Sequence, residues 1–214
     1  PGIYSLTTLS VEELIAREYI IKHKPDVVIN IIDSTNLERN LIFTLQLLEL
    51  GCRVIVALNM IDVARKKGII TDTGKLQKIL NTPVIATVAS RGTGLTDLMD
   101  KVIELKEGKN DRGILNYGRE IENCISKLSE ELKDVQLPYP DRWIAIKLIE
   151  KDNEIVKLTR ELNPAIIEKT KLFETRLEEI HGHDSSLVIA DERSHLASQI
   201  TREIVTMTPH KKMS

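Results

Sequence analysis

Aromatic side chains are scarce, 3% of 214 residues, with one Trp, two Phe and four Tyr. Such a chain lacks the ring platforms on which single-stranded nucleic acid stacks. An excess of one charge is lacking too. Lys+Arg 30 against Asp+Glu 32 gives a net charge of −2, so nothing calls for a polyanionic partner and no nucleic acid is expected. No apolar run approaches the ~18 residues that cross a bilayer, and no secretory leader pattern occurs. The two cysteines, Cys52 and Cys124, lie far apart in apolar patterns. They read as buried reduced thiols, which fits a cytosolic setting. The first residue is Pro1 rather than Met, so the sequence reads as a piece of a longer chain.

What is present is an ordinary globular composition, 42% hydrophobic and 29% charged, able to bury a core. Residues 8–24 pattern as a helix with Ser10 and Glu13 as a capping box. The short runs "VVINII" (27–32), "RVIVALN" (53–59) and "PVIATVA" (83–89) read as buried strands. Helices are expected between and after them, at 36–50, 73–80 and 94–108. Strands alternating with helices predict a parallel sheet covered on both faces. After residue 110 only helical patterns are found, at 116–134, 140–150, 153–162, 164–181 and 186–207. The chain therefore divides into an α/β domain over 1–110 and a small all-helical domain over 111–214.

In open α/β sheets, ligands bind at the carboxyl ends of the strands. The second strand ends in Asn59-Met60-Ile61-Asp62. A carboxylate accepts two hydrogen bonds at once, and guanine offers N1–H and its N2 amino group side by side. Adenine has no such donor pair, so an Asp here selects guanine. N-x-x-D alone is weak, and Asn30-Ile31-Ile32-Asp33 repeats it one unit earlier. There the Asn falls inside the apolar run and reads as a strand residue with local hydrogen bonds. Only Asn59 and Asp62 are followed, after a helix and a strand, by "ATVASRGTG", a small-residue turn whose backbone can approach the base.

A phosphate cradle is harder to find. The nearest match to G-x-x-x-x-G-K-[ST] is "GIITDTGKL", 68–76. It has one residue too many between its glycines, and Leu76 stands where a Mg²⁺-binding hydroxyl is needed; it reads as a surface turn. His181, His183 and Asp184 could suggest a metal site, but a polar turn with Asp184 capping the next helix explains them. "HKKMS" at 210–214 is a short basic cluster that suits the cytosolic side of a membrane.

The stretches "PGIYSLTTLSVEELIAREYI", "PDVVINIIDSTNLERNLIFTLQLLELG" and "VIVALNMIDVARKKGI" closely resemble the cytosolic GTPase domain of ferrous iron transport protein B. The match is dense over 1 to about 105, and "DSTNLERNL" is far more specific than N-x-x-D. The helical half, with "RWIAIKLIEKD", is similar to that family's second cytosolic domain, which resembles a dissociation inhibitor. The resemblance implies a P-loop GTPase-like fold, truncated at its N-terminus, and GTP or GDP as ligand. It implies that Pro1 and Gly2 close a D-x-P-G motif, with the Gly2 amide facing the γ-phosphate. It assigns residues 3 to about 10 to a switch. It also implies that Asn59, Met60 and Asp62 flank and read guanine, and that Val88, Ala89 and Ser90 form a second guanine loop. Mg²⁺ is implied for the intact family protein, whose ligands for it do not occur in this sequence. The implied partners are the transmembrane domain of the same protein and, as an open alternative, a second copy of the chain. A non-catalytic protein-interaction module and a ribosome-assembly GTPase remain as other readings; the latter family usually carries a GxxG loop, which is not found here.

Overall fold

The computed structural model describes residues 11–108 and 115–208, with side chains described from residue 15. The capping box, residues 1–10, the 110/111 boundary and the basic cluster at 210–214 lie outside these.

Helix α1 (Val11–His23) leads into strand β1 (Val28–Asp33), α2 (Leu37–Glu49) and β2 (Val54–Asn59). Next come α3 (Ile61–Lys66), β3 (Ile69–Thr71), α4 (Thr73–Leu80), β4 (Val84–Ala86) and α5 (Leu95–Glu107). Strands β1, β2 and β4 form a parallel sheet with β2 in the centre. β2 is buried at five of its six positions, as a strand covered on both faces should be. Val56 and Leu58 face Leu41 and Leu45 of α2, while Ile55 and Ala57 face Leu98 of α5. Asn30 donates to Thr44 Oγ1 across 2.7 Å in the core, the local role its place within the apolar run predicts. Among the described residues β1 is an edge, and Ile31, beside Ala57 in register, is 67% exposed.

The second half consists of α6 (Arg119–Leu132), α7 (Asp141–Ile149), α8 (Asn153–Leu162), α9 (Pro164–His181) and α10 (Ser185–Ile204). Strand β5 (Val205–Met207) follows. The expected helix to 207 thus ends at Ile204, and the half is not purely helical. β5 pairs antiparallel with β3 of the first half, Ile70 opposite Thr206. Where a surface turn was expected over 68–76, Ile69–Thr71 is accordingly a strand and Asp72 caps the start of α4. Three-residue strands show no periodicity; only the tertiary pairing makes them.

The halves share one hydrophobic core running from Ile32 to Ile204. Inside it, Glu49 at the end of α2 accepts from Arg193 Nε at 2.8 Å, from Arg193 Nη2 at 3.0 Å and from the Tyr117 hydroxyl. Arg193 also donates to Glu150 at 2.8 Å, and Lys147 reaches the other Glu150 oxygen at 2.5 Å. Burial pushes the Tyr117 hydroxyl pKa up, and the neighbouring Glu49 charge adds to this. Burial would also raise the Glu150 carboxyl, but Lys147 and Arg193 outweigh it and hold it below the usual range.

Candidate functional site

The candidate site lies at the carboxyl end of β2, where Asn59 is the last strand residue. Its backbone carbonyl accepts twice from one neighbour, from Ser34 N at 3.0 Å and Ser34 Oγ at 2.6 Å. Ser34 follows the end of β1, so the two strand ends are tied together. The Asn59 side chain turns the other way. Its Oδ1 accepts from Ala89 N at 3.0 Å and from Thr87 Oγ1 at 3.3 Å. With Oδ1 engaged by the loop, Nδ2 takes no partner among the described residues and is left to donate outward.

Met60 adopts a left-handed conformation, φ 61° and ψ 29°, at the entry to α3. A non-glycine residue there is uncommon and strained. It turns the chain sharply from strand to helix, so that Asp62, two residues later, falls in the first turn of α3. Met60 itself is 39% exposed, an apolar side chain at the mouth of the site.

The loop after β4 completes the arrangement. Thr87 N donates to Leu58 O at 2.9 Å, extending the sheet by one bond. Val88 and Thr93 form an isolated antiparallel bridge that closes the loop on itself. Between them Ala89–Arg91 makes one 3₁₀ turn. Gly94 then sits at φ +78°, and a Cβ there would meet Ala86 O at 2.3 Å, so only glycine lets the loop lie so close to the strand. Arg91 projects from this turn to within 4.0 Å of the Asp62 carboxylate.

The structure therefore brings Asn59, Met60, Asp62, Val88, Ala89 and Ser90 into one small region. Pro1 and Gly2 lie outside the described residues. Arg91, which faces Asp62, lies in the "ATVASRGTG" stretch that the sequence marks out, whereas Ser34 and Thr87, which hold the site, had no signal of their own: a Ser after a strand or a Thr before a loop is ordinary turn composition.

The arrangement suits a base that is a donor on one edge and an acceptor on the other. Asp62 supplies a two-oxygen acceptor and Asn59 Nδ2 a donor, which matches guanine. Phosphate and Mg²⁺ fit less well. In 68–76, Asp72 caps α4 by accepting from Lys75 N at 2.9 Å. A carboxylate occupies the helix end where a phosphate would bind. Lys75 meanwhile pairs with Glu203 at 3.0 Å. These residues do not fit a Mg²⁺–phosphate group.

Elsewhere, Asp184 caps α10 through Ser186 N at 2.9 Å and pairs with Lys151 at 2.6 Å. Among the described residues no helix is long and apolar enough to cross a membrane.

Residues 1–102 match the family profile of Ferrous iron transport protein B, and residues 117–206 match the FeoB cytosolic helical domain. An Fe(2+) transport protein A/Fe(2+) transporter FeoB fusion protein of Porphyromonas gingivalis is 40% identical over 205 residues, 90% of this chain and 24% of the relative. The Fe(2+) transporter FeoB of Staphylococcus aureus (strain COL) is 32% identical over 99% of this chain and 32% of its own length. The chain thus spans a third or less of these curated relatives. Among solved structures, the cytosolic domain of the T. maritima FeoB iron transporter in apo form has a TM-score of 0.79 at 32% identity, with 96% of this chain and 78% of that one covered. A point mutant of S. thermophilus NFeoB bound to GDP gives 0.86 at 32% identity, covering 96% and 79%. An mGMPPNP-bound NFeoB from S. thermophilus gives 0.86 at 32% identity, covering 98% and 79%.

Proposed function

This chain belongs to the ferrous iron transport protein B family, and from that premise we propose that it is the guanine-nucleotide-binding cytosolic segment of an Fe(II) transporter. GTP or GDP binding in this segment would regulate iron uptake through the membrane part of the same protein, at the cytoplasmic face. Membership sets aside the ribosome-assembly reading. Residues 1–110 form the GTPase portion and 111–214 the dissociation-inhibitor-like portion.

The observation that carries the guanine reading is the Asn59–Ala89 bond at 3.0 Å. It joins the N-x-x-D segment to the loop after β4, so that one base can touch both. Asp62 accepts from guanine N1–H and N2–H₂, Asn59 Nδ2 donates to the opposite edge, and the 88–90 backbone approaches O6. Met60 packs against the ring. Structural neighbours of the same family bound to GDP and to mGMPPNP support the ligand class.

The test is base selectivity. In Asp62→Asn the carboxylate becomes an amide, whose NH₂ and C=O complement xanthine's O2 and N1–H instead of guanine. The 214-residue chain should bind GDP in preference to ADP, and Asp62→Asn should prefer xanthosine diphosphate. Equal binding of GDP and ADP by the unaltered chain would sink the reading. Because phosphate contacts supply much of nucleotide binding and no described residue cradles a phosphate, GDP and GTP should bind weakly and alike. For the same reason this chain should release no phosphate from GTP.

A further inference from the structure

We propose that Arg91 is a built-in competitor for the base, a guanidinium that occupies the guanine-reading carboxylate of Asp62 when no nucleotide is present. This rests on the guanine reading of Asp62. The chemistry is a direct mimicry. The edge of guanine that an Asp recognises is N1–H, C2 and N2–H₂, two N–H donors joined through one carbon. A guanidinium presents the same fork. Arg91 Nη2 lies 4.0 Å from Asp62 Oδ2.

The geometry makes this contact replaceable. A bidentate Arg–carboxylate pair closes to about 2.7–2.9 Å, and this one is held well short of that. Arg91 is 66% exposed and Asp62 27% exposed on their side chains, so the pair is screened by water and weak. The guanidinium is also mounted on the element that the base would touch. Arg91 ends the 3₁₀ turn that begins at Ala89, its N–H donates to Val88 O at 2.9 Å, and Gly92 follows at φ +70°. Ala89 N in the same turn is pinned to Asn59. One short loop thus carries both a fixed backbone contact and an exposed side chain beside the selector. Binding guanine exchanges the Arg91–Asp62 contact for the base–Asp62 contact, and Arg91 swings out to solvent. Arg91 therefore sets how tightly the base is held and how readily it leaves.

The sign of the effect separates this role from its alternatives. A cation near a nucleotide should attract phosphates, and an Arg folding over a bound ring should add cation–π attraction; removing it would weaken binding in both cases. Removing a competitor strengthens binding. The experiment is GDP titration of the 214-residue chain, followed at the Thr87 and Ala89 backbone amides by NMR, for the unaltered chain, Arg91→Ala and Arg91→Lys. At low salt Arg91→Ala should bind GDP about 2- to 5-fold more tightly, the range expected for losing an exposed ion pair. Near ~1 M salt, where exposed charges are screened within a few ångströms, the gap should close. Arg91→Lys keeps the cation but loses the two-donor fork, so its GDP affinity should fall between those of the unaltered chain and Arg91→Ala. Equal or weaker GDP binding by Arg91→Ala, or a gap that salt does not reduce, overturns the proposal while leaving the guanine site intact. Absence of any GDP-over-ADP preference in the unaltered chain overturns both.

Discussion

Asn59 and Asn30 carry the same local motif and do opposite things. Asn30 lies two pleats inside β1 and spends its amide on Thr44 in the core. Asn59 lies at the end of β2, where its side chain can leave the sheet and accept from the Ala89 amide. Position in the strand, which the apolar run made readable, decides between them. Asn59→Ala removes the acceptor for both Ala89 N and Thr87 Oγ1. It should lower stability by about 1–2 kcal/mol, the range for lost hydrogen bonds at a half-open site. Hydrogen exchange at Ala89 should quicken and GDP affinity should fall; unchanged protection at Ala89 would show that the loop holds itself. Glu49 is a second residue whose worth depends on its surroundings. It is 7% exposed and meets Arg193 and Tyr117 inside the core. Glu49→Ala would strand a buried guanidinium, which typically costs about 3–5 kcal/mol, with the low end expected here because Glu150 still accepts from Arg193. Chemical denaturation would measure it. A loss below about 1 kcal/mol would mean water reaches Arg193 and solvates it.

Elements were legible where they bury a periodic face and opaque where they do not. Helix α9 runs over Pro164–His181, the limits its Pro164 start and Gly182 stop signal, and the three parallel strands follow from their β-branched runs. β3 and β5 were missed because each is three residues long and exists through the other. Candidate-site residues on strand ends were legible, since a polar pair after an apolar run stands out, whereas Ser34 and Thr87 were not. Two element-level outcomes follow from the sheet. Gly94→Ala would force a side chain into Ala86 O at the exit from β4 and adopt an unfavourable positive φ. A loss of about 1–3 kcal/mol is expected with displacement of the 88–93 loop, read as shifted Thr87 and Ala89 amide signals. On β1, Ile31 is 67% exposed at a sheet edge. Uncharged apolar edges pair with other chains, and a lysine is the usual remedy. Ile31→Lys should raise the monomer fraction in light scattering with little change in melting temperature. A large fall in melting temperature would show that Ile31 is covered in solution.

At the scale of the whole molecule, the two halves share their packing and should unfold as one cooperative body. Sequence patterning divides the chain into an α/β domain and a small all-helical domain. The structure joins them through a core continuous with the sheet, the Glu49–Arg193 pair across the junction and the β3–β5 pairing. Thermal unfolding should therefore show a single transition, with Trp143 fluorescence from the helical half and sheet amide signals melting together. The junction also sets the pH limits. Glu150 has a carboxyl held below its ordinary value by Lys147 and Arg193. A depressed carboxyl contributes stability above its unfolded pKa and loses it as pH falls through the folded value, so the acid limb should begin below about pH 4.3. The alkaline limb has the opposite sign. Burial, reinforced by the Glu18 carboxylate, raises Tyr139 to about 12, and burial with the Glu49 charge raises Tyr117 well above its ordinary value. A raised tyrosine contributes stability that is complete below about pH 10 and lost as pH rises toward the folded value. On alkaline titration, phenolate absorbance from Tyr117 and Tyr139 should accordingly develop only together with the loss of Trp143 packing. Replacing Tyr117 by Phe should remove part of the alkaline limb and leave the acid limb in place. If Tyr117 and Tyr139 ionise before the Trp143 signal changes, the junction opens locally and the two halves are not one cooperative unit.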